Sequence, residues 1–287
     1  MQHLKEKVME LVFLAAACMS VLCVALICVF LLTGGLPAMG EIGPGAFLSG
    51  KVWKPSAEIF GVFPMILGSI YVTGGALLLG VPVALLTAMY LAFFCPKAVY
   101  RVMKPAVELL AGIPSVVYGF FGIVVLVPAV RALGEPWDGK GNSLLTASVL
   151  LAIMILPTII GVVEPALRAV PRSYYEGALA LGATHERAVY TAVAPAASSG
   201  ILAGIVLGIG RAMGETMAVI MVAGNQPRMP KGLFEGVRTL TGNIVMEMGY
   251  TTGLHREALI ATGIVLFVFI LIINLAFSVL KRRGRAA

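Results

Sequence analysis

Long apolar runs separated by short polar segments dominate the pattern of the chain. No charged residue occurs between Leu11 and Gly40, or between Ile59 and Phe94. About 20 apolar residues suffice to cross the hydrocarbon core of a bilayer, so each run predicts a transmembrane helix. Similar runs predict four more spans, at about 109–130, 143–163, 200–224 and 257–280. The pattern therefore predicts an all-α integral membrane protein with six transmembrane helices.

The distribution of Lys and Arg gives the expected orientation. Cations concentrate on the cytoplasmic side of membrane proteins, and Lys5 and Lys7 precede the first span. Lys97, Arg101 and Lys104 follow the second run, and they lie inside only if this run crosses the membrane once. We therefore expect an entry segment at 61–64, followed by one long helix that contains Pro82. With both termini cytoplasmic, the inner side carries twelve Lys and Arg and six acidic residues, against eight and seven outside. We therefore expect cytoplasmic termini, with polar outer loops at 34–58, 131–142 and 225–256.

The composition excludes a soluble domain. Of 287 residues, 59% are hydrophobic and 12% are charged, and the mean hydropathy is +0.97, far from globular averages. The net charge of +7 does not indicate nucleic-acid binding, because the cations are spread over loops. We expect one transmembrane domain over 1–287 with a core at about 60–280, an uncleaved first span, and no metal site or disulfide. The four cysteines are interpreted as buried apolar side chains: Cys18, Cys23, Cys28 and Cys95.

The fifth apolar run is unusual because it contains two charges near its middle, Arg211 and Glu215. Such charges cost about 2.5–3.5 kcal/mol each at a membrane-helix centre, so they predict a function. On a helix they fall on the same stripe as three glycines, which predicts that they face protein or water: Gly200, Gly204 and Gly208. Two interpretations remain open: an ion pair at i and i+4 that locks helices together, or charges that line a substrate pathway.

The inner loop before this run predicts two short helices that meet at a glycine. Ser173 and Glu176 have the spacing of a capping box, and Gly182 can end the first helix. Thr184, with Glu186, can start the second. These features indicate a compact knob on the membrane surface, although an ordinary surface connector has the same pattern.

This loop resembles the EAA motif of ABC-importer permeases. The resemblance rests on Glu176, Gly177 and Ala178, on Gly182 four residues later, and on Pro195 thirteen residues after that. The sequence departs from the motif at three positions. Gly177 stands where the family has Ala, and Ala192 and Ala194 stand where Ile and Leu are usual. The resemblance implies that the loop at 164–195 docks on an ATPase subunit.

Three segments resemble the PstC type of permease from the phosphate-specific transport (Pst) system. They are residues 108–119, the inner loop, and residues 208–218 leading to Gly224 and Asn225. The resemblance implies a type I ABC-importer permease that moves phosphate across the bacterial cytoplasmic membrane. It also implies three kinds of partner: a PstA-like second permease, a homodimeric ABC ATPase and a periplasmic phosphate-binding protein. The chain lacks a Walker A pattern, so ATP and Mg²⁺ are expected on the ATPase and no cofactor on this chain.

A hypothesis for transport follows for Arg211 and Glu215. The planar guanidinium of Arg211 suits an oxyanion, because it offers two parallel hydrogen bonds. Glu215 would neutralise Arg211 in the empty site and weaken the hold on phosphate. Pro114, in the 112–119 segment of the third span, is assigned to helix packing inside the bundle. The tryptophans are interpreted as interface anchors: Trp53 and Trp137.

Other functions fit less well. An intramembrane enzyme is disfavoured, because the only aspartate, Asp138, lies in a loop and all three histidines lie outside the spans. An ion-coupled carrier or channel would not need the knob. A permease for sulfate or molybdate remains open, because one Arg does not distinguish tetrahedral anions.

Overall fold

The computed structural model describes the backbone of residues 2–137 and 139–283, and the side chains of 5–136, 139–276 and 279. The first half of the chain contains two short strands and six helices: α1 (Gln2–Ile42), α2 (Pro44–Ser49), β1 (Trp53–Lys54), β2 (Ile59–Phe60), α3 (Phe63–Met89), α4 (Lys97–Gly112), α5 (Ser115–Phe121) and α6 (Val127–Gly134). The second half is helical: α7 (Leu144–Arg168), α8 (Arg172–Ala180), α9 (His185–Ala188), α10 (Ala194–Ala196), α11 (Ser198–Gly214), α12 (Met217–Val222), α13 (Leu240–Glu247) and α14 (Gly253–Arg283).

Short π-helical and 3₁₀ turns interrupt or extend these helices. The π-helical turns follow α3, α5 and α9, at Tyr90–Phe94, Gly122–Leu126 and Val189–Val193. The 3₁₀ turns lie at Pro55–Ala57, Glu135–Trp137 and Met248–Tyr250. Strands β1 and β2 pair antiparallel, with Trp53 opposite Phe60.

Within the described residues, five helices are long and apolar enough to cross a membrane, and a bent pair provides a sixth. The bent pair comprises residues 185–196 and 198–214, joined at an angle of 75°. The described residues therefore support five spans, and six when the bent pair counts as the fifth span. The expected straight helix over 200–224 is wrong, because the helix begins at Ser198 after the bend and ends at Gly214.

Helix α7 is the central element of the fold. Ser143 caps its N-terminus by accepting a hydrogen bond from the Thr146 amide, and its side chains are buried over most of its length. Helices α3 and α11 pack against it. Helix α3 approaches α7 closely because it presents small residues to it. A Cβ on Gly80 of α3 would lie 2.9 Å from Ile155 Cδ1 of α7.

The third span begins later than the sequence predicted. Helix α4 ends at Gly112, and Pro114 is the N-cap of α5, so the span runs from Ser115 to Gly134. Pro114 thus lies in the break before the helix rather than inside it, and its role in helix packing stays a prediction. The span also exposes much of its surface, including Val117 and Phe120, whereas the sequence interpretation put it inside the bundle. Proline lacks an amide hydrogen, which makes the start of a helix a favourable position for it.

The loops group on the two sides of α7 as the charge pattern predicted. Lys104 of α4 contacts Glu164 near the C-terminal end of α7, where α8 follows. At the other end, the Leu144 amide donates to the carbonyl of Glu235, in the segment between α12 and α13. At about 1.5 Å per residue, a helix of this length spans a bilayer. The assignment of these two sides to cytoplasm and exterior stays a prediction.

The segment at 34–58, predicted to be a polar outer loop, is more ordered than a loop. Helix α1 continues to Ile42, and Gly35 packs so closely on α14 that a Cβ would lie 2.9 Å from the Ala261 backbone. Trp53 is buried and donates from its indole Nε1 to Glu247, 2.9 Å away. The assignment of Trp53 as an interface anchor is therefore wrong, because the side chain is inside the protein. Trp137 lies outside the residues whose side chains are described.

The cysteines are not buried within this chain, contrary to the sequence interpretation. Cys18 and Cys23 are exposed on α1, and Cys28 and Cys95 are partly exposed. All four are free thiols. Most side chains of α1 before Gly34 are exposed among the described residues, so the exposure of Cys18 and Cys23 is typical of this part of the helix.

Candidate functional site

The fifth span breaks between Arg211 and Glu215. Helix α11 ends at Gly214, and Glu215 has extended backbone angles of φ −69° and ψ 128°. The Glu215 carboxylate accepts hydrogen bonds from the backbone amides of Thr216 and Ala218, at 3.1 and 3.3 Å. Glu215 therefore caps the start of α12 and satisfies amides that a helix N-terminus leaves free. The predicted helical stripe ends at Arg211, because a carboxylate that caps the next helix cannot continue the previous one.

Arg211 lies in the last turn of α11 with its side chain partly buried. Its Nε is buried and has no hydrogen-bond partner among the described residues. The guanidinium interacts electrostatically with the hydroxyl of Tyr118 in α5. This hydroxyl donates a hydrogen bond to the carbonyl of Leu110 at 2.8 Å. A buried donor without a partner costs about 1–3 kcal/mol, and more when charged, so this group favours an incoming acceptor.

The three glycines of α11 face α7. A Cβ on Gly204 would lie 2.7 Å from Val163, and a Cβ on Gly208 would lie 2.8 Å from Ile159. A Cβ on Gly200 would overlap the side chain of Ala166. The glycine stripe therefore lets the backbones of two spans approach closely, which fixes the helix that carries Arg211.

The segment after α12 packs beside this break, although the sequence suggested only a polar outer loop. The hydroxyl of Thr241, in α13, donates to the backbone carbonyl of Glu215 at 3.3 Å. The Leu240 amide donates to Ser69 of α3 at 2.9 Å. Gly224 forms an isolated bridge with Val237. These contacts hold the break between α11 and α12 against the second span.

A buried polar cluster, which we call the outer cluster, closes the same end of the molecule. Glu247 accepts from Trp53 at 2.9 Å, pairs with Arg238 at 2.5 Å and lies 2.8 Å from His255. Burial alone would raise the pKa of Glu247, but these hydrogen bonds outweigh burial and hold its pKa below the ordinary value. Asn243 is fully buried and accepts from Arg238 at 3.0 Å. No local pattern predicts this cluster, because Trp53 and Glu247 are 194 residues apart.

A second polar cluster, the inner cluster, lies at the other end of α7. Glu164 is 1% exposed and accepts from Tyr100, Lys104 and Arg168, at 2.9, 2.6 and 2.6 Å. Arg168 also donates to the carbonyl of Leu91 at 2.8 Å. Burial alone would lower the pKa of Lys104, but the contact with Glu164 outweighs it and raises that pKa. The sequence offered one signal, since Glu164 and Arg168 are four residues apart.

The predicted knob is present as two short helices, α8 and α9, that follow the C-terminal end of α7. Gly182 has φ +85°, the left-handed conformation that follows the C-cap Leu181 and ends α8 at Ala180. Thr184 caps α9 by accepting a hydrogen bond from the Arg187 amide at 3.3 Å. Both predictions are confirmed. The capping box at Ser173 is wrong, because Pro171 is the N-cap of α8 and no side chain caps it. Non-helical chain begins only after Arg168, because α7 continues one turn past Glu164.

The residues that carry the EAA resemblance lie on this knob. Glu176 and Gly177 are exposed on α8, and Ala178 is partly exposed. Gly182 lies at the tip beside Leu181, which is 91% exposed. Pro195 lies in α10, immediately before the 75° bend.

Comparison with known families identifies the chain. The family described as binding-protein-dependent transport system inner membrane component matches residues 80–286. The chain belongs to this family. Every residue proposed above for the substrate pathway or the knob lies within the matched range. Helix α1, the β1–β2 hairpin and the first part of α3 precede it.

Relatives of this permease chain extend over nearly its whole length. The probable ABC transporter permease protein YqgH of Bacillus subtilis is 36% identical over 270 residues, covering 91% of this chain and 87% of that protein. The phosphate transport system permease protein PstC of Mesorhizobium japonicum is 33% identical, covering 93% and 88%. PstC of Haemophilus influenzae is 33% identical, covering 84% and 81%.

Solved ABC transporters share the fold of this permease. An inward-facing structure of the MetNI methionine transporter aligns with a TM-score of 0.58 at 20% identity, covering 81% of this chain and 99% of that one. A bacterial transporter that imports the polysaccharide alginate aligns with a TM-score of 0.58 at 18% identity, covering 93% and 95%. The expected type I ABC-importer architecture is thus confirmed, with the protein a multi-pass component of the bacterial inner membrane.

Proposed function

We propose that this chain is the transmembrane permease subunit of an ATP-driven ABC importer that moves inorganic phosphate into the cell. The observation that carries the proposal is the buried Nε of Arg211 beside the break after α11, which has no partner in the described part of the chain. Family membership gives the transport class, and the PstC relatives at 33% identity favour phosphate as the substrate.

Arg211 is proposed to contact the anion during its passage. Its guanidinium can donate two parallel hydrogen bonds to a tetrahedral oxyanion. The carboxylate of Glu215 is engaged by backbone amides, so it leaves Arg211 available for the substrate. The role proposed for Glu215 is therefore not to neutralise Arg211. Glu215 holds the break open by capping α12 and keeps a negative charge near the pathway, which favours release.

The knob formed by α8 and α9 is proposed to dock on a homodimeric ABC ATPase. The docking residues are those of the EAA resemblance: Glu176, Gly177, Ala178, Gly182 and Pro195. Apolar side chains that are exposed at its surface support a protein partner there, with Leu181 at the tip and Tyr174 on α8. ATP and Mg²⁺ bind to the ATPase in this proposal, so the permease itself is not an enzyme and binds no cofactor.

The complete importer is proposed to contain two further proteins. A PstA-like second permease pairs with this chain, and a periplasmic phosphate-binding protein delivers the substrate on the outer side. Both termini of this chain then lie in the cytoplasm, as the Lys and Arg distribution predicts. Movement of the ATPase shifts the knob, and access to Arg211 alternates between the two sides of the membrane.

The test is uptake of radiolabelled phosphate by cells that lack this chain and then regain it. Restored phosphate uptake with unchanged sulfate and molybdate uptake is the expected result. Restoration of sulfate or molybdate uptake instead would identify a different oxyanion. Purification of the tagged chain from the same cells should recover an ATPase subunit, and its consistent absence would contradict an ABC importer.

A further inference from the structure

Four aromatic side chains join the knob to the inner end of the second span. Phe93 and Tyr175 stack with ring centroids 6.1 Å apart, and Phe94 lies 4.5 Å from His185. The hydroxyl of Tyr175 is hydrogen-bonded to His185 Nδ1 at 2.6 Å. Because the two phenylalanines are adjacent in the chain, the four residues close into one group. We call Phe93, Phe94, Tyr175 and His185 the aromatic cluster.

Two residues of the aromatic cluster belong to the knob, and the other two belong to the end of the second span. Tyr175 is on α8 and His185 begins α9, so their hydrogen bond ties the two helices of the knob together. Phe93 and Phe94 are in the π-helical turn that ends the second span. This turn is also held by Arg168, which donates to the carbonyl of Leu91. A displacement of the knob therefore acts directly on the second span.

Open space surrounds this contact. A cavity of about 350 Å³ is lined by Phe93, Tyr175 and His185, among other residues. A second, of about 230 Å³, is lined by Phe94 and Glu186. A third, of about 350 Å³, lies between the end of α7 and the bend at Ala197. These clefts are open to the surface, so other side chains of this chain do not fill the space around the aromatic contact in the described residues.

The turns on both sides of the first cavity are π-helical. Phe93 belongs to the turn at Tyr90–Phe94, and Val193, which faces the same cavity, belongs to the turn at Val189–Val193. π-helical turns are rare and occur often at functional sites. Both the second and the fifth span thus meet the knob through an irregular turn rather than a continuous helix.

We propose that the aromatic cluster transmits movement of the knob to the second span, so that Phe93 and Phe94 are positioning residues for transport. This inference rests on the proposed importer function, and it adds a second route to the covalent connection through Pro195 and the fifth span. The second span packs on α7, and its Ser69 accepts a hydrogen bond from the amide of Leu240 in α13. The adjacent Thr241 donates to the backbone carbonyl of Glu215. The cluster therefore links the ATPase side to the break beside Arg211.

The test measures coupling rather than uptake alone. The complete importer, with its ATPase and binding protein, is reconstituted in proteoliposomes, and phosphate delivered per ATP hydrolysed is measured. The double variant Phe93→Ala, Phe94→Ala is expected to hydrolyse ATP while this ratio falls about 2- to 30-fold. Phe267→Ala on α14, which removes a ring outside the cluster, is the matched control and should keep the wild-type ratio. An unchanged ratio in the double variant would overturn the proposal.

A second pair of substitutions covers the case in which the alanine variant fails to assemble. Phe93→Leu, Phe94→Leu keeps most of the apolar volume but removes both rings, and it should also lower the ratio. A wild-type ratio in that variant would equally refute the cluster's role. If the wild-type complex carries sulfate rather than phosphate, the proposed substrate is wrong, and the ratio measured with sulfate still tests the cluster.

Discussion

The carboxylate of Glu215 caps α12, whereas Arg211, four residues earlier in the last turn of α11, has a buried Nε without a partner among the described residues. The two charges therefore serve different purposes. The carboxylate stabilises the break in the fifth span, and the guanidinium is left for an anion. This arrangement makes the two residues separable by mutation.

The capping role of Glu215 predicts different results for two substitutions. Glu215→Gln keeps a side-chain oxygen that can accept from Thr216 and Ala218, so the complex should unfold at nearly the wild-type temperature. Glu215→Ala removes the cap and should lower stability by about 0.5–2 kcal/mol. Thermal unfolding of the purified complex checks this. Equal stability of the two variants would contradict the capping role.

The glycine stripe predicts a position-specific effect of a single methyl group. Gly200→Ala would overlap the side chain of Ala166, and overpacking of this kind costs about 1–3 kcal/mol. Gly210→Ala is the matched control, because nothing lies within 4 Å of the added carbon and alanine favours a helix by up to about 1 kcal/mol. We expect Gly200→Ala to lower the unfolding temperature of the complex and Gly210→Ala to keep or raise it. The reverse order would show that α11 does not pack on α7 through this face.

The inner cluster predicts that two glutamates contacting the same lysine differ greatly in importance. Glu164 is 2.6 Å from Lys104 and buried, whereas Glu108 is 3.7 Å from it and 65% exposed. Glu164→Gln leaves Lys104 and Arg168 without their shared counter-charge and should cost about 3–5 kcal/mol. Glu108→Gln should cost less than about 1 kcal/mol. Chemical or thermal unfolding of the complex gives both values, and similar losses would refute the assigned difference.

The outer cluster predicts an acid-sensitive contribution to stability. The pKa of Glu247 is lower in the folded protein than its ordinary value of about 4.3. Its contribution is therefore fully present above that ordinary value and is lost as the pH falls through the folded pKa. Unfolding temperatures measured from pH 7 to pH 3 should fall more steeply for the wild type than for Glu247→Gln, which should be the less stable protein at pH 7. Parallel curves would contradict the role of the carboxylate.

The parts of the fold that depend on local sequence could be predicted. The apolar runs predicted five spans and the region of the bent pair, because bilayer thickness sets the length of such runs. Gly182 and Thr184 gave the two helix ends in the knob, because a left-handed residue and a capping hydroxyl act on their immediate neighbours. The family resemblance of the knob and of the segment around Arg211 rested on the same short motifs.

The parts that depend on distant contacts could not be predicted. Helical spacing put Glu215 on the stripe of Arg211, but its carboxylate stabilises a break by binding amides that follow it. Trp53 and Glu247 are 194 residues apart, and Lys104 and Glu164 are 60 residues apart, so no local pattern joins them. The 75° bend after Pro195 also could not be predicted from sequence periodicity, because a proline alone does not set the angle between two helix segments.

The most direct test of the proposed function is phosphate uptake by proteoliposomes that contain the importer with Arg211→Gln. The loss of a charged hydrogen-bond donor should lower uptake about 10- to 150-fold, while assembly with the ATPase remains intact. Arg228→Gln, which alters an exposed arginine, should leave uptake unchanged. Wild-type uptake by the Arg211→Gln complex would contradict the account, because phosphate would then pass without the guanidinium assigned to it.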